Sequence, residues 1–174
     1  MSGSESLGRW GIYVEMVGYG VDSDAPRESS MFIVKRSDIR IVALANRHYS
    51  RTHNHKIVGS RCRLLVMRDF LGTIGFVWGW PYDGYRADGQ NGANCEMFRN
   101  ESDRRSSDLI LESEAMLLRR WNVNRLFTYV DPGKIKSINP GYCFKVAGYQ
   151  HIGNSKDGKH LLVKELRPEN RLQS

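Results

Sequence analysis

Hydrophobic and polar residues follow two spacings along this chain, one typical of strands and the other typical of helices. Short apolar runs rich in β-branched and aromatic residues predict strands over residues 31–36, 60–69, 71–80, 95–100 and 126–130. Residues 151–166 predict two more strands about a turn at 155–158. The second and third runs are joined by a minimal turn, which favours an antiparallel hairpin.

Helical spacing predicts three helices between these strands. The first covers residues 37–46 with a serine cap, and the second, long and amphipathic, covers residues 106–121. The third is capped by Asn139 and has Pro140 at its first position, where the missing N–H group costs nothing; Gly148 ends it. The pattern therefore predicts strands and helices mixed along the whole chain.

Length and composition indicate one domain. At 174 residues and 20.0 kDa the chain can bury a full core, so we expect a single domain over residues 31–166. Residues 1–30 are expected to form a partly mobile extension with an edge strand at 10–17, and residues 167–174 a frayed tail. The sequence shows no apolar run long enough to span a membrane and no signal-peptide pattern, which predicts a soluble, cytoplasmic protein without a membrane partner.

Charge and cysteine usage narrow the classes of partner. Twenty-six basic and nineteen acidic residues give a net charge of +7 and a pI near 9.5, which suits a polyanion or a phosphate-bearing cofactor. No long run of lysine and arginine marks a dedicated arm, so a merely solvated basic surface stays open. The three cysteines are widely spaced without a C-x-x-C pair, which argues against a disulfide framework or a zinc knuckle.

The densest group of acid/base-capable side chains lies in residues 47–56, directly after the first predicted helix. His48 and Tyr49 are closest to that helix, where the backbone fixes their direction, so we expect them to carry chemistry. His53 and His55 are expected to be solvated. Ligation of a metal by these three histidines matches no standard spacing, and the involvement of a metal stays open.

A candidate anion site lies at the start of the second helix. Arg104, Arg105, Ser106 and Ser107 place two guanidinium groups and two hydroxyls where the helix presents unpaired N–H groups. An ordinary serine cap with both arginines in solvent is a nearly equal alternative. A glycine-rich loop at residues 81–94 adds tyrosines that can stack on a ring-shaped substrate.

The order of elements resembles that of the acyl-CoA-dependent N-acetyltransferase superfamily over residues 32–166. The resemblance implies an α/β fold of mixed α+β type, with a central mixed, largely antiparallel twisted sheet and helices on both faces. In that superfamily one strand splays from its neighbour, and the pantetheine of acetyl-CoA or a related acyl-CoA lies in the gap. The pyrophosphate of the cofactor would then lie on the start of the second helix, at the candidate anion site.

Two features depart from the superfamily pattern. The usual glycine-containing phosphate-binding motif is absent, because serines and arginines stand where glycines are expected. The tyrosine that often acts as general acid is replaced by Phe144, and Tyr142 is the nearest phenol. The proton chemistry would therefore come from Tyr142 or from across the cleft.

A narrower set of residues is similar to the phage Mom DNA-modification proteins, a divergent branch of this superfamily. The similarity is carried by Arg47-His48-Tyr49-Ser50, Phe98-Arg99-Asn100 with Ser106-Ser107, Thr128-Tyr129-Val130-Asp131 and Asn139-Pro140-Gly141-Tyr142. It implies conversion of adenine N6 in double-stranded phage DNA to the carbamoylmethyl form, which protects that DNA from host restriction. The adenine would have to flip out of the duplex to be reached.

The resemblance and the residue chemistry together give the expected catalytic roles. His48 and Tyr49 would face the adenine, and Asp131 would accept the N6 proton or hold the amine. Arg99 and Tyr142 would stabilise charge near the acyl carbon or the leaving thiolate. The alternatives are that Asp131 only closes a turn and that Arg99 only pairs with a neighbouring acid.

Binding roles are expected of a second set of residues. Cofactor binding is expected from Arg104, Arg105, Ser106, Ser107 and Asn139, and substrate binding from Ser50, Tyr82, Tyr85 and Tyr129. Two other functions stay open: an acetyl-CoA-dependent acetyltransferase acting on a small-molecule or protein amine, and a non-catalytic nucleic-acid-binding module. The oligomeric state is open and includes a homodimer.

Overall fold

The computed structural model describes residues 30–51, 57, 61–82, 86 and 88–166. The expected edge strand at 10–17 and the expected tail at 167–174 lie outside these residues. The strands are β1 (Met31–Val34), β2 (Cys62–Asp69), β3 (Ile74–Pro81), β4 (Ala93–Asn100), β5 (Arg125–Val130), β6 (Gln150–Asn154) and β7 (His160–Glu165). The helices are α1 (Ile39–Asn46), α2 (Ser106–Leu118) and α3 (Tyr142–Val146).

The seven strands form one sheet in the order β1-β2-β3-β4-β5-β7-β6. Every neighbouring pair is antiparallel except β4 and β5, which run parallel. The predicted hairpin is β2 and β3, whose register pairs Val66 with Val77 and Met67 with Phe76. The expected fold, a mixed and largely antiparallel sheet with helices, is confirmed.

The helices α1 and α2 cover opposite faces of the sheet. Neighbouring residues of a strand point to opposite sides, so β2, β3 and β4 contribute side chains to a core on each face. On one face α2 packs into the main core, whose buried members include Leu65, Met67, Phe76, Trp78, Leu109, Ile110 and Leu117. On the other face α1 packs in a second core made by Ile41, Ala45, Ile57, Val66, Val77 and Met97. The expectation of helices on both faces is met by this arrangement.

The parallel pair β4 and β5 is joined over a short distance only. Three residue pairs form the contact, from Ala93 opposite Leu126 to Cys95 opposite Thr128. The hydroxyl of Thr128 also donates to the carbonyl oxygen of Cys95 at 2.9 Å, which fixes the last paired position. Beyond that position the two strands continue without pairing, so the sheet opens into a gap.

A β-bulge lies on β4 beside this gap. The register of β3 against β4 shifts between Val77, which faces Met97, and Trp78, which faces Cys95. Glu96 therefore has no residue opposite it on β3. A bulge bends its strand and increases the local twist, and this one lies next to the point where β4 and β5 stop pairing.

Two boundaries differ from the sequence prediction. The cap of α1 is Asp38 rather than the serine at position 37, because its carboxylate accepts the N–H groups of Arg40 and Ile41 at 3.0 and 3.2 Å. The helix α2 ends at Leu118, three residues earlier than predicted. Trp121 continues the apolar pattern only because its side chain is buried in the main core beyond the helix.

The prediction that Asn139 caps the third helix is wrong. The helix begins at Tyr142, and its cap position is Gly141, whose φ of 76° lies in the left-handed region. A side chain at that position would overlap Leu162, so the chain turns tightly on a glycine before the helix starts. The predicted end at Gly148 is confirmed, with φ of 97°.

Gly92 is predicted to be essential for the junction of β4 and β5. It has φ of 96°, and an added Cβ would overlap the backbone carbonyl of Arg125, which cannot move without breaking the sheet. We expect Gly92→Ala to lower the free energy of unfolding by about 2–5 kcal/mol, because left-handed strain and overpacking act together.

Gly89→Ala is the matched control for this prediction. Gly89 has φ of 73°, but an added Cβ there meets nothing within 4 Å, so only the backbone strain of about 1–2 kcal/mol applies. Urea unfolding of both variants measures the difference. Equal losses would show that the close approach at Gly92 has no energetic weight.

Candidate active site

A cavity of about 470 Å³ occupies the gap between β4 and β5. Its walls come from the turn after α1 (residues 48–50), the central part of β4 (94–98), the end of β5 (128–130), the following loop, the start of α3 and Lys159. The cavity therefore lies where the sheet opens, and it gathers segments that are distant in the sequence.

Six of the predicted site residues line this cavity together. They come from four separate places in the chain, so only the folded sheet brings them into one site. They are His48, Tyr49, Ser50, Tyr129, Asn139 and Tyr142. Their individual roles stay predictions.

His48 is held as a neutral ring. Its Nδ1 lies 2.7 Å from the hydroxyl of Ser50 and accepts the Ser50 N–H at 3.3 Å, so the second ring nitrogen carries the proton and bonds to the carbonyl of Phe98. Burial lowers the pKa of His48 to about 4, and the nearby charge of Arg99 acts in the same direction. An imidazole with both nitrogens engaged and this pKa is a poor general base at neutral pH.

Tyr49 is a phenol that stays protonated. Its ring lies 4.4 Å from the His48 ring, centroid to centroid. Burial raises the pKa of Tyr49, and the carboxylate of Asp131 raises it too, although the backbone of Asp131 bonds to the phenol oxygen and opposes both effects. Tyr49 can therefore donate a proton in the cavity rather than accept one.

A cluster of charged side chains fixes the turn that carries His48 and Tyr49. Glu101 accepts hydrogen bonds from Nε and Nη2 of Arg47 at 2.8 and 2.6 Å, and from Nε of Arg99 at 2.5 Å. Arg99 also donates to the backbone carbonyl of Arg47. The hydrogen bonds from these two guanidiniums lower the pKa of Glu101 to about 2, and the bond from Arg47 has the largest effect. The cluster therefore stays ionised at neutral pH.

Arg99 is therefore a positioning residue by its contacts. It is not among the residues that line the cavity, and it pairs with Glu101, which is the alternative that the sequence left open. Its guanidinium connects the end of β4 to the turn after α1. Its expected role near the acyl carbon or the thiolate stays a prediction.

Asp131 follows the last residue of β5, as predicted, but its carboxylate serves the turn. Its Oδ1 accepts the N–H of Gly133 at 3.0 Å, and Lys134 lies 3.9 Å from Oδ2. Asp131 does not belong to the cavity lining, although its backbone contacts Tyr49. The structure thus places the carboxylate beside the cavity and not in it.

Glu96 is a charged cavity residue that the sequence prediction missed. Among the described lining residues it is the one carboxylate, and it stands at the bulge of β4. Its side chain lies over Gly79, where an added Cβ would be 2.5 Å from Oε1. Burial raises the pKa of Glu96, and the charge of Arg86 opposes this increase.

The signal that could have identified Glu96 is an acid between the apolar residues Cys95 and Met97 of a strand, since buried carboxylates are costly and seldom structural without a partner. The bulge itself depends on the register between strands, which the sequence of one strand does not contain. A carboxylate with a raised pKa in a cavity has the properties of a general base.

The predicted anion site lies at the start of α2, apart from the cavity lining. Arg104 pairs with Glu112 at 2.9 Å and also bonds to Ser30, so its charge is partly used within the protein. Arg105 is exposed at the cap position and makes no capping bond with its side chain. Ser106 receives a bond from Asn100 at 3.1 Å.

The first turn of α2 consequently has no side-chain cap. Ser107 is buried, and its hydroxyl lies 3.5 Å from the carboxylate of Asp108. Uncapped N–H groups next to an exposed arginine keep this end of the helix suitable for a phosphate. The ordinary serine cap, the alternative left open by the sequence, is not formed.

The other predicted residues lie away from the cavity or outside the described chain. Tyr82 is 60% exposed and stacks near Arg63, with 5.8 Å between the guanidinium carbon and the ring centroid. Tyr85, His53 and His55 lie outside the described residues. In the described ranges, no group of three His, Cys, Asp or Glu side chains could hold a metal, and no helix is long and apolar enough to cross a membrane.

Comparison with known proteins gives similarity at the level of structure only. No protein-family model and no curated protein matches the chain. The crystal structure of the aminoglycoside acetyltransferase AAC(6')-Ib in complex with coenzyme A is similar at 17% identity and a TM-score of 0.44, over 66% of this chain and 72% of that one. An acetyltransferase from Thermus thermophilus is similar at 19% identity and a TM-score of 0.42, over 63% and 67% of the two chains. At such TM-scores the fold assignment rests on the strand order of this chain.

The neutral state of His48 predicts a pH dependence of stability. The ordinary pKa of 6.5 applies in the unfolded chain and about 4 in the folded chain, so only the unfolded chain gains this proton as the pH falls between those values. The His48 contribution to the free energy of unfolding is full above about pH 6.5 and declines toward pH 4. His48→Gln should make that decline smaller.

Urea unfolding of the wild type and of His48→Gln at a series of pH values between 4 and 7 measures this contribution. If the free energy of unfolding of the variant has the same pH dependence as that of the wild type, the His48 imidazole has the same pKa in the folded and the unfolded chain. NMR titration of the His48 ring in the folded chain gives an independent value of its pKa.

Proposed function

We propose that this chain is an acyl-CoA-dependent N-acyltransferase whose acceptor is adenine N6 in double-stranded DNA. The observation that carries the proposal is the cavity in the gap between β4 and β5, with the uncapped start of α2 following β4 in the chain. One segment thus supplies both a place for a thioester and a place for its phosphates.

The gap suits the extended arm of an acyl-CoA. Beyond Cys95, the backbone groups of β4 that would face β5 have no strand partner there. A pantetheine arm carries amide groups that can pair with such N–H and C=O groups, which need partners when they are buried. Its pyrophosphate would then reach the first turn of α2, where Arg105 adds a positive charge.

The cavity also suits a purine ring. Its volume of about 470 Å³ lies within the usual range of small-ligand pockets, roughly 300–1,000 Å³. Tyr49, Phe98, Tyr129 and Tyr142 supply aromatic surface in its walls, on which a flipped base can stack. The net charge of +7 favours a polyanionic acceptor over a neutral small amine.

The chemistry follows from the proton affinities of the cavity residues. The acceptor nitrogen attacks the thioester carbonyl, so that a C–N bond forms and the C–S bond breaks. The nitrogen loses a proton, which Glu96 is suited to accept because burial raises its pKa. The departing thiolate takes a proton from a phenol. Two phenols in the cavity wall are suited to this step, Tyr49 after α1 and Tyr142 at the start of α3.

The remaining polar groups hold this arrangement. His48 serves as a neutral wall of the cavity, and the cluster of Arg47, Glu101 and Arg99 holds its turn. Asp131 shapes the turn after β5 through its bond to Gly133. The product of the transfer step is an adenine with an acyl carbonyl on N6. The carbamoylmethyl group implied by the Mom resemblance is bonded to N6 through a CH2, so the acyl transfer does not by itself produce it.

Glu96→Gln is predicted to abolish most of the transfer while the fold is retained. Loss of a general base lowers the rate by about 10²–10⁴-fold. Coenzyme A release from acetyl-CoA, with duplex DNA as acceptor, measures the rate. In a plot of rate against pH, the wild-type rate should fall toward acid pH with an apparent pKa above the ordinary value for glutamate. The variant should not show this fall.

Glu165→Gln is the matched control, because Glu165 is a surface residue at the end of β7 that pairs with Arg125. It should keep the wild-type rate. A Glu96→Gln variant that also keeps it would remove Glu96 from the mechanism. If coenzyme A is released with a small primary amine as acceptor but not with DNA, the cavity binds a small-molecule acceptor.

A further inference from the structure

Ile138 is an apolar side chain fully in solvent at the rim of the cavity. Its exposed fraction of 106% is the largest among the exposed large hydrophobic residues of the described chain. It lies in the loop of residues 131–141, which connects β5 to α3. Residues 135, 137, 139 and 141 of the same loop line the cavity, so Ile138 stands beside its entrance.

Two lysines precede Ile138 in this loop. Lys134 and Lys136 are both exposed, and Lys159 lies in the cavity wall. Single exposed apolar residues are common on protein surfaces and have no special meaning alone. An isoleucine that follows two exposed lysines at the mouth of a cavity is a more specific arrangement. It combines an apolar side chain with two positive charges that can bind phosphate groups.

The base of the loop is held in place by several bonds around Asn139. The side chain of Asn139 accepts from Lys145 at 2.5 Å, and its carbonyl accepts the N–H of Tyr142 at 3.1 Å. Its own N–H donates to the hydroxyl of Ser137 at 3.1 Å. The left-handed turn at Gly141 completes this support, so Ile138 projects from a structured base.

We propose that Ile138 is a wedge that enters the base stack of duplex DNA at the position left by the flipped adenine. Lys134 and Lys136 contact the phosphates on either side. Proteins that unstack DNA insert apolar side chains of this kind, and the wedge offsets part of the free energy that flipping costs. This inference rests on the proposed DNA acceptor and adds how the adenine is made accessible.

The test uses duplexes that carry 2-aminopurine, an adenine analogue whose emission rises when it leaves the stack, in varied sequence contexts. At saturating protein, the full wild-type chain should raise the emission several-fold. Ile138→Ala should lose most of this rise, and Ile138→Leu should retain it. Ile152→Ala is the matched control, since Ile152 is 56% exposed on β6 and does not line the cavity.

Salt dependence of binding tests the two lysines. The double variant Lys134→Ala with Lys136→Ala should reduce the slope of log affinity against log salt by about 2, because each lost phosphate contact removes about 0.9. A slope equal to that of the wild type would remove the lysines from the interface.

The outcomes separate this inference from the proposed function. Transfer to DNA with wild-type emission in Ile138→Ala overturns the wedge and leaves the acyltransferase standing. Loss of emission in Ile138→Ala without any transfer supports the wedge and overturns the transfer chemistry. A wild-type chain that neither binds duplex DNA nor raises the emission overturns the wedge together with the DNA acceptor.

Discussion

The site depends on one limit in the hydrogen bonding of the sheet: β4 and β5 stay paired for only three residues. The pairing ends where Thr128 donates to the carbonyl of Cys95. Parallel strands that separate within a sheet leave backbone groups without strand partners, and such groups are costly when buried unless a ligand or water pairs with them. The bulge at Glu96 lies beside the same point, so the cavity carboxylate stands where the two strands stop pairing.

The second constraint is electrostatic and holds the opposite wall. Arg47 and Arg99 share the carboxylate of Glu101, and this cluster connects the end of α1 to the end of β4. Each exposed ion pair is worth little alone, but three charges in one network restrict the turn that carries His48 and Tyr49. The cavity therefore has one wall fixed by backbone pairing and another fixed by charge, while the loop with Ile138 forms its accessible rim.

Hydrophobic spacing predicted the order of strands and helices well, because each element depends on its own local pattern. The residue chemistry and the family resemblance, rather than the spacing, placed His48, Tyr49, Tyr129 and Tyr142 in one site. All four line the cavity, and their roles stay predictions. Features that depend on register or on distant contacts were missed. The cap at Gly141 is imposed by Leu162, and the position of Glu96 is imposed by the pairing of β3 with β4. The catalytic role expected of Asp131 stays a prediction, while its carboxylate accepts the N–H of Gly133 in the turn after β5.

We propose that this cavity transfers an acyl group to adenine N6 in DNA. Mass spectrometry of nucleosides, from the DNA of cells that express the full chain, tests it most directly. Cells with the wild-type chain should contain a modified adenosine that carries an acyl group at N6, and cells with Glu96→Gln should lack it. Unmodified adenosine alone, in cells that contain the folded wild-type protein, would contradict the claim.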